Sequence, residues 1–211
     1  MYQFKNKTQK MVLTAVFAAI IILMANVPFL GYINLGFVSA TTIHIPVIIG
    51  AVLLGPSSGA FLGFIFGLTS CLKATFQPNL TSFCFSPFSP IGDGNFFSLI
   101  ICFVPRILIG IVAYYVFAML MKVLGGKRRM KESVALPIAG IAGSMTNTIL
   151  VLGGIYIFFG AQYAEAANIA GALYAAIIAV VIGNGIPEAI VCAVLVTLIG
   201  KALLHFIAAQ E

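Results

Sequence analysis

Charge is scarce in this chain of 211 residues. Asp, Glu, Lys and Arg make up 8% of it, against about 25% in soluble domains, so an ordinary soluble domain is excluded. Only five acids occur, and Asp93 is the sole aspartate. Aspartate-pair proteases and Asp-rich prenyl-transfer sites are therefore excluded. The two histidines, His44 and His205, lie far apart in the chain and offer no metal-ligand spacing. No G-x-x-x-x-G-K-[ST] run is present, so the chain lacks a nucleotide-hydrolysing P-loop of its own. Gly55-Pro56-Ser57-Ser58-Gly59 matches G-x-S-x-G by letters. The nucleophile elbow needs a strand before the serine, and here apolar helical runs flank it. The expectation is no catalysis, no cofactor and no metal. Cys71, Cys84, Cys102 and Cys192 are dispersed. They read either as a Cys71–Cys84 disulfide or as free buried thiols.

What is abundant is apolar surface: hydrophobic types make up 62% of the residues. At roughly 20 residues per span, the chain has room for five to seven spans. The pattern predicts an all-α integral membrane protein, a single transmembrane domain over residues 1–211. Helices are expected at roughly 11–30, 41–54, 59–72, 99–121, 134–160 and 184–206. Irregular chain is expected at 31–40, 73–98 and 161–183. The first run could be read as a signal peptide, but no Ala-x-Ala cleavage site follows it. Runs 41–54 and 59–72 read as a tight hairpin of short helices closed by Gly55-Pro56. Residues 169–182 are apolar, then Gly183-Asn184-Gly185-Ile186-Pro187 reads as a break. A straight helix through it would be roughly 57 Å long, too long for one span.

The net charge of +6 comes from 11 basic residues, nine of them in clusters. Lys5, Lys7 and Lys10 precede the first helix; Lys122, Lys127, Arg128, Arg129 and Lys131 follow the fourth; Lys201 lies near the end. This distribution is a topology signal and not a nucleic-acid-binding face. The positive-inside rule places all nine on the cytoplasmic side. That requires even numbers of spans between clusters, hence a six-transmembrane-helix bundle with N- and C-termini cytoplasmic. The long irregular segments then fall outside, and a ligand site is expected in the outer half.

Arg106 is the most informative residue. A cation at depth faces a cavity or a partner, and a guanidinium grips a carboxylate with two bonds. The bland readings are a structural pair with Glu188 or snorkelling to the interface. Glu188, one residue past Pro187, suits a helix N-terminus through the dipole, or meets a ligand hydroxyl or amine. Asn184 reads as the cap of that helix or as a donor to the ligand, with capping the favoured reading. His44, Asn79 and Asn147 either hydrogen-bond a substrate or tie helices together. Gly55, Gly59, Gly63 and Gly67 recur every fourth residue, a close-packing face. Ala15 and Ala19 give the first helix a similar small face, fit for a partner protein or another helix.

Several segments resemble a known family. They are Thr42-Ile43-His44-Ile45-Pro46-Val47-Ile48-Ile49-Gly50 with Leu53-Leu54-Gly55-Pro56, and Val104-Pro105-Arg106-Ile107-Leu108-Ile109-Gly110. Gly143-Ser144-Met145-Thr146-Asn147-Thr148, Gly185-Ile186-Pro187-Glu188-Ala189 and Ala15-x-x-x-Ala19 complete the set. Together the chain resembles the substrate-binding S components of energy-coupling factor (ECF) vitamin transporters, and among them most the pantothenate-specific type. Members for hydroxymethylpyrimidine, folate or riboflavin share much of the pattern. The resemblance implies a multi-pass protein of the bacterial cell membrane that binds a small-molecule vitamin and catalyses nothing. Its partners would be a transmembrane coupling subunit of the EcfT type, met through Ala15 and Ala19, and two ATPase subunits. It implies substrate contacts at Arg106, Asn147, His44, Asn79 and Glu188, under a lid formed by residues 31–40. The competing reading is a stand-alone secondary transporter, which would be expected to show an internal repeat.

Overall fold

The computed structural model describes residues 7–27, 31–34, 39–79, 81–166 and 172–208. Its elements are α1 (Lys7–Asn26), β1 (Tyr32–Asn34), β2 (Ser39–Thr41), α2 (His44–Leu54), α3 (Pro56–Phe76), α4 (Phe96–Val123), α5 (Arg128–Ala166), α6 (Leu173–Val180) and α7 (Ile186–Ala208). Five helices are long and apolar enough to cross a membrane, with α6 and α7 counted as one; α2 is a sixth, shorter apolar helix. Six helical units were expected, and several boundaries differ.

The largest difference lies near the C-terminus. The expected break before Asn184 is a π-helical turn, Val181–Gly185, that joins α6 to α7 without interrupting the helix. Widening the turn lets Gly183 and Gly185 pass without forcing the chain out of helical geometry. Asn184 therefore lies inside the turn and is not a cap. Much of the segment expected as loop 161–183 is helix; residues 167–171 lie outside the described residues. α5 likewise starts at Arg128 and absorbs most of the basic loop. α3 is a full-length span of 21 residues, not half of a short hairpin.

α2 is short, and all eleven of its residues are buried. Pro46 is tolerated because it sits in the first turn, where no intrahelical partner for its N–H exists. Around α2 pack α3, α4, α5 and α7, with Ile43, Val47, Ile48, Leu62, Ile109, Ala139 and Val196 in one buried cluster. The non-helical chain leading into α2 is an antiparallel ribbon, Tyr32 opposite Thr41 and Asn34 opposite Ser39. In a membrane such backbone is tolerable only when protein covers it.

The bundle has two unlike ends. At the basic end, a Cβ on Gly55 in the α2–α3 turn would lie 3.7 Å from Lys10 Nζ, and Lys131 Nζ donates to the Met121 carbonyl at 3.4 Å. Arg129, Ser133, Lys201 and His205 line a cavity of about 660 Å³ there. At the opposite, loop end, residues 77–79 and 81–95 form a packed cap. Phe83 is buried against Phe159, ring centroids 5.7 Å apart. Ser98 Oγ donates to the Phe83 carbonyl at 2.6 Å, and Asn95 and Ser98 close a capping box on α4. Burial pushes the Cys84 thiol of this cap up to about 12, so it stays protonated and inert at neutral pH. All four cysteines are free.

The four-residue glycine stripe does what its spacing implies. Added Cβ atoms at Gly59, Gly63 and Gly67 would strike Gly110, Arg106 and Cys102–Phe103 of α4 in turn. Without a hydrophobic drive between helices in lipid, such backbone approach is what holds a pair together. At Gly63 a Cβ would run into the Arg106 carbonyl itself. Gly63→Ala should therefore cost about 1–3 kcal/mol by overpacking. Gly153→Ala, where nothing lies within 4 Å, should be neutral or slightly stabilising. Thermal unfolding of the two variants in detergent, side by side, checks the contrast.

Candidate functional site

The site is built on Arg106 of α4. It lies nearly three turns inside the helix and is buried, 7% exposed. Pro105 precedes it. A proline has no N–H, so the carbonyl four residues back, that of Ile101, loses its helical donor. Arg106 supplies the missing one: its Nη1 donates to the Ile101 carbonyl at 2.6 Å. The side chain thus folds back along α4 toward the loop end, the natural direction for a long helical side chain. There its guanidinium lies 5.0 Å from the Phe85 ring centroid and 5.7 Å from that of Phe66. Aromatic faces stabilise a desolvated cation. The cap delivers Phe85, held by the Thr75–Ser86 hydroxyl bond of 2.6 Å and the Phe85 N–H to Ser82 carbonyl bond of 3.0 Å.

Arg106 does not pair with Glu188. Glu188 Oε1 accepts from the backbone N–H of Thr41 at 2.6 Å. The acid is buried and joins the last residue of β2 to the start of α7. Because α6 runs into α7 through the π turn, Glu188 does not face an open helix N-terminus, and the Thr41 amide is what its carboxylate meets. Snorkelling is likewise excluded by the burial of Arg106.

Polar side chains with unused hydrogen-bonding capacity gather in the interior. Neither ring nitrogen of His44, 1% exposed, has a hydrogen-bond partner among the described residues, and nor do Ser144 Oγ and Asn147 Oδ1. Thr41 lies nearby in the chain but forms no bond of good geometry with the imidazole. Contacts of α5 place these groups in one stretch. Gly143 abuts Ile48 of α2 and Ala113 of α4, whereas Gly154 abuts Ile101. Ser144 and Asn147 therefore fall between those levels, on the helix that packs along α4. His44 sits one turn from Ile48 toward the loop end. Each unsatisfied buried group costs about 1–3 kcal/mol, and such exceptions call for an explanation. Convergent polar groups in an apolar interior are what a small-molecule site looks like.

Of the five expected substrate contacts, Arg106, His44 and Asn147 lie in this interior. Glu188 borders it through Thr41. Asn79 is not brought there: it is exposed in the cap, and its Oδ1 accepts from Thr81 N, Thr81 Oγ and Ser82 Oγ at 3.0–3.1 Å. It builds the turn that carries Phe85. The sequence reading missed Phe66, Phe85, Ser144 and the Thr41 amide. Ser144 could have been found from its place three residues before Asn147, nearly one helical turn. Phe85 has no signal short of the folded cap. The lid expected at 31–40 is described at 31–34 and 39–40 only, and its ribbon is tied to α7 by the Glu188 bond. On α1, Ala15 and Ala19 are exposed, and Ala15 lines a cavity of about 430 Å³ with Lys10, Ser57 and Phe61.

The described residues thus place a buried cation and several buried polar groups inside a bundle of apolar helices. The chain is a member of the family described as ECF transporter, substrate-specific component, whose model matches residues 9–200. It is 36% identical over 203 residues to the pantothenic acid transporter PanT of Lactococcus lactis subsp. cremoris, covering 94% of this chain and 95% of that one. It is 33% identical over 203 residues to the pantothenate transporter PanT of Leuconostoc mesenteroides subsp. mesenteroides, with 94% and 93% covered. Family and relatives are transporter components of bacterial membranes, not enzymes.

Glu188→Ala should free the Thr41 amide. Loss of one charge-assisted bond, about 1.5–3 kcal/mol, should speed hydrogen exchange in a peptide spanning residues 39–43 by roughly tenfold or more. Glu188→Gln, which keeps an acceptor oxygen, should change it less. Exchange mass spectrometry on purified protein is the check.

Proposed function

We propose that this chain is the pantothenate-binding subunit of an ATP-driven ECF-type importer, acting as a single transmembrane domain. The observation that carries the reading is the buried guanidinium of Arg106, in an interior that also holds buried polar atoms of His44, Ser144 and Asn147 without hydrogen-bond partners among the described residues. Pantothenate offers a carboxylate for the cation, and an amide and hydroxyls for His44, Ser144 and Asn147. The names of the two relatives support the same substrate. Glu188 holds the ribbon that covers the site, and Asn79 shapes the cap, so both act on binding through backbone they position.

Orientation follows from charge. Lys7, Lys10, Lys122, Lys127, Arg128, Arg129, Lys131 and Lys201 mark one end of the bundle, which the positive-inside rule assigns to the cytoplasm together with both termini. The loop end then faces outward, where the nutrient is scarce and a tight site is useful. The chain has no P-loop sequence, so energy comes from partners: a coupling subunit of the EcfT type and two ATPases. The exposed Ala15 and Ala19 face of α1 suits close approach by a partner helix.

A second reading keeps the family and changes the vitamin. A hydroxymethylpyrimidine or riboflavin binder has no carboxylate to place on Arg106, and the buried cation disfavours it. Arg106→Gln should weaken pantothenate binding by about ten- to a hundredfold, the worth of a charge-assisted hydrogen bond, while leaving the folded yield in place. Calorimetry on purified protein measures it; unchanged affinity would overturn the carboxylate role. Cellular uptake should also require a co-expressed coupling module. Accumulation by the chain alone would favour a stand-alone transporter.

A further inference from the structure

We infer that Pro105 is a positioning residue for the anion-binding cation: by withholding an N–H from the Ile101 carbonyl, it gives the Arg106 guanidinium a fixed anchor. The inference rests on the proposed role of Arg106 and deepens it. Within a helix, the carbonyl of residue 101 takes its hydrogen bond from the N–H of residue 105, and here that residue is proline, inside a helix that runs from Phe96 to Val123. Orphaned carbonyls in an apolar interior are costly, yet this one is satisfied, at 2.6 Å, by the side chain of the very next residue. The proline and the arginine are therefore one device. The first opens an acceptor; the second fills it with a cation.

The geometry fixes what this accomplishes. An arginine side chain carries several rotatable bonds, and holding it in one shape costs rotamer entropy. Anchoring Nη1 on Ile101 pays that cost in the empty protein. The fork is then held at the level of Phe66 and Phe85, which flank it at 5.7 and 5.0 Å. Ile101 is itself immobilised: it is 2% exposed and meets Gly154 of α5 so closely that a Cβ there would lie 2.8 Å from it. One guanidinium has five donors in a rigid plane. One of them is bonded to the Ile101 carbonyl, which fixes the plane of the fork. The consequence is selectivity for a planar carboxylate presented from the loop end, with less binding energy lost to ordering the side chain.

A proline inside a helix is far less favourable than alanine. Pro105→Ala should therefore raise the thermal midpoint. It should simultaneously lower affinity for pantothenate, by about three- to tenfold, because the new N–H competes for the Ile101 carbonyl and releases the guanidinium. Opposite movement of stability and affinity separates positioning from a merely structural part.

The test is a double-mutant cycle on the full-length protein in detergent, reading pantothenate affinity by calorimetry and stability by thermal unfolding. The variants are Pro105→Ala, Arg106→Gln and both together. If Pro105 acts through Arg106, the alanine substitution should cost affinity in the wild-type background and nothing further in the Arg106→Gln background. Full additivity of the two losses would overturn the inference, and so would a Pro105→Ala variant that binds as tightly as the parent while Arg106→Gln does not. If Arg106→Gln itself binds normally, the carboxylate role falls, and the positioning role with it. Pro105→Gly, which also restores the N–H, should reproduce the affinity loss with a smaller stability gain than Pro105→Ala. Failure to do so would assign the effect to alanine and not to the donor.

Discussion

A positive charge without a mobile aqueous shell is expensive, and much of this molecule is arranged around that fact. Moving a cation into a medium of low dielectric constant costs several kcal/mol even after relaxation. Arg106 meets the cost through a carbonyl made available by its neighbouring proline, and through two aromatic faces, one brought by α3 and one by the cap. None of these is an acid. A carboxylate partner of the protein's own would neutralise the site and compete with any acidic ligand. Glu188, the acid the sequence offers as a structural partner, is instead bonded to a backbone amide. The carbonyl and the two rings together stabilise the cation in the interior.

The second organising feature is the shortness of α2. It is buried on every side, and it begins part-way along the bundle. Above it the chain is non-helical, and β2 with its Glu188 tie covers the way in. A full-length helix at this position would fill the interior with backbone already satisfied by its own hydrogen bonds. α2 instead starts at His44, and buried polar atoms of His44, Ser144 and Asn147 have no hydrogen-bond partner among the described residues. The glycine stripe of α3 supports the same arrangement from behind. It lets α4 approach until Gly63 touches the backbone of Arg106, so the helix bearing the cation has little freedom to shift.

How much of this could be read from the letters depends on the range of the interaction. Six apolar helical units, the close face at Gly59, Gly63 and Gly67, and an arginine at depth in the fourth of them all follow from composition and periodicity, which are local. The π turn at Val181–Gly185 does not. Glycine, asparagine and proline close together signal a break in any short window, and only the packing of Gly185 on Thr148 shows why the helix is kept. The basic loop was misjudged for a related reason. Its charges look like solvent-exposed chain, whereas Arg128 and Glu132 form an i, i+4 ion pair at 3.0 Å inside a helix. The turn that Asn79 builds with Thr81 and Ser82 is equally hidden, because an asparagine in a polar loop carries no mark of which partners it meets. The carbonyl of Ile101 was invisible too, although Pro105 and Arg106 stand side by side, because a missing hydrogen bond is a property of position i−4 and not of the dipeptide.

α5 runs unbroken for 39 residues, which at 1.5 Å per residue is roughly 58 Å. Hydrocarbon accounts for only about 30 Å of that length. A rod nearly twice as long as the slab it pierces has to lean, or stand proud of the headgroups, or both. Its ionic extremity, with Arg128, Arg129 and Lys131, is thereby carried into water, rigidly coupled to the turn that bears Ser144 and Asn147. Any rocking of the body in the bilayer is consequently magnified at that tip, as a mast exaggerates the roll of a hull.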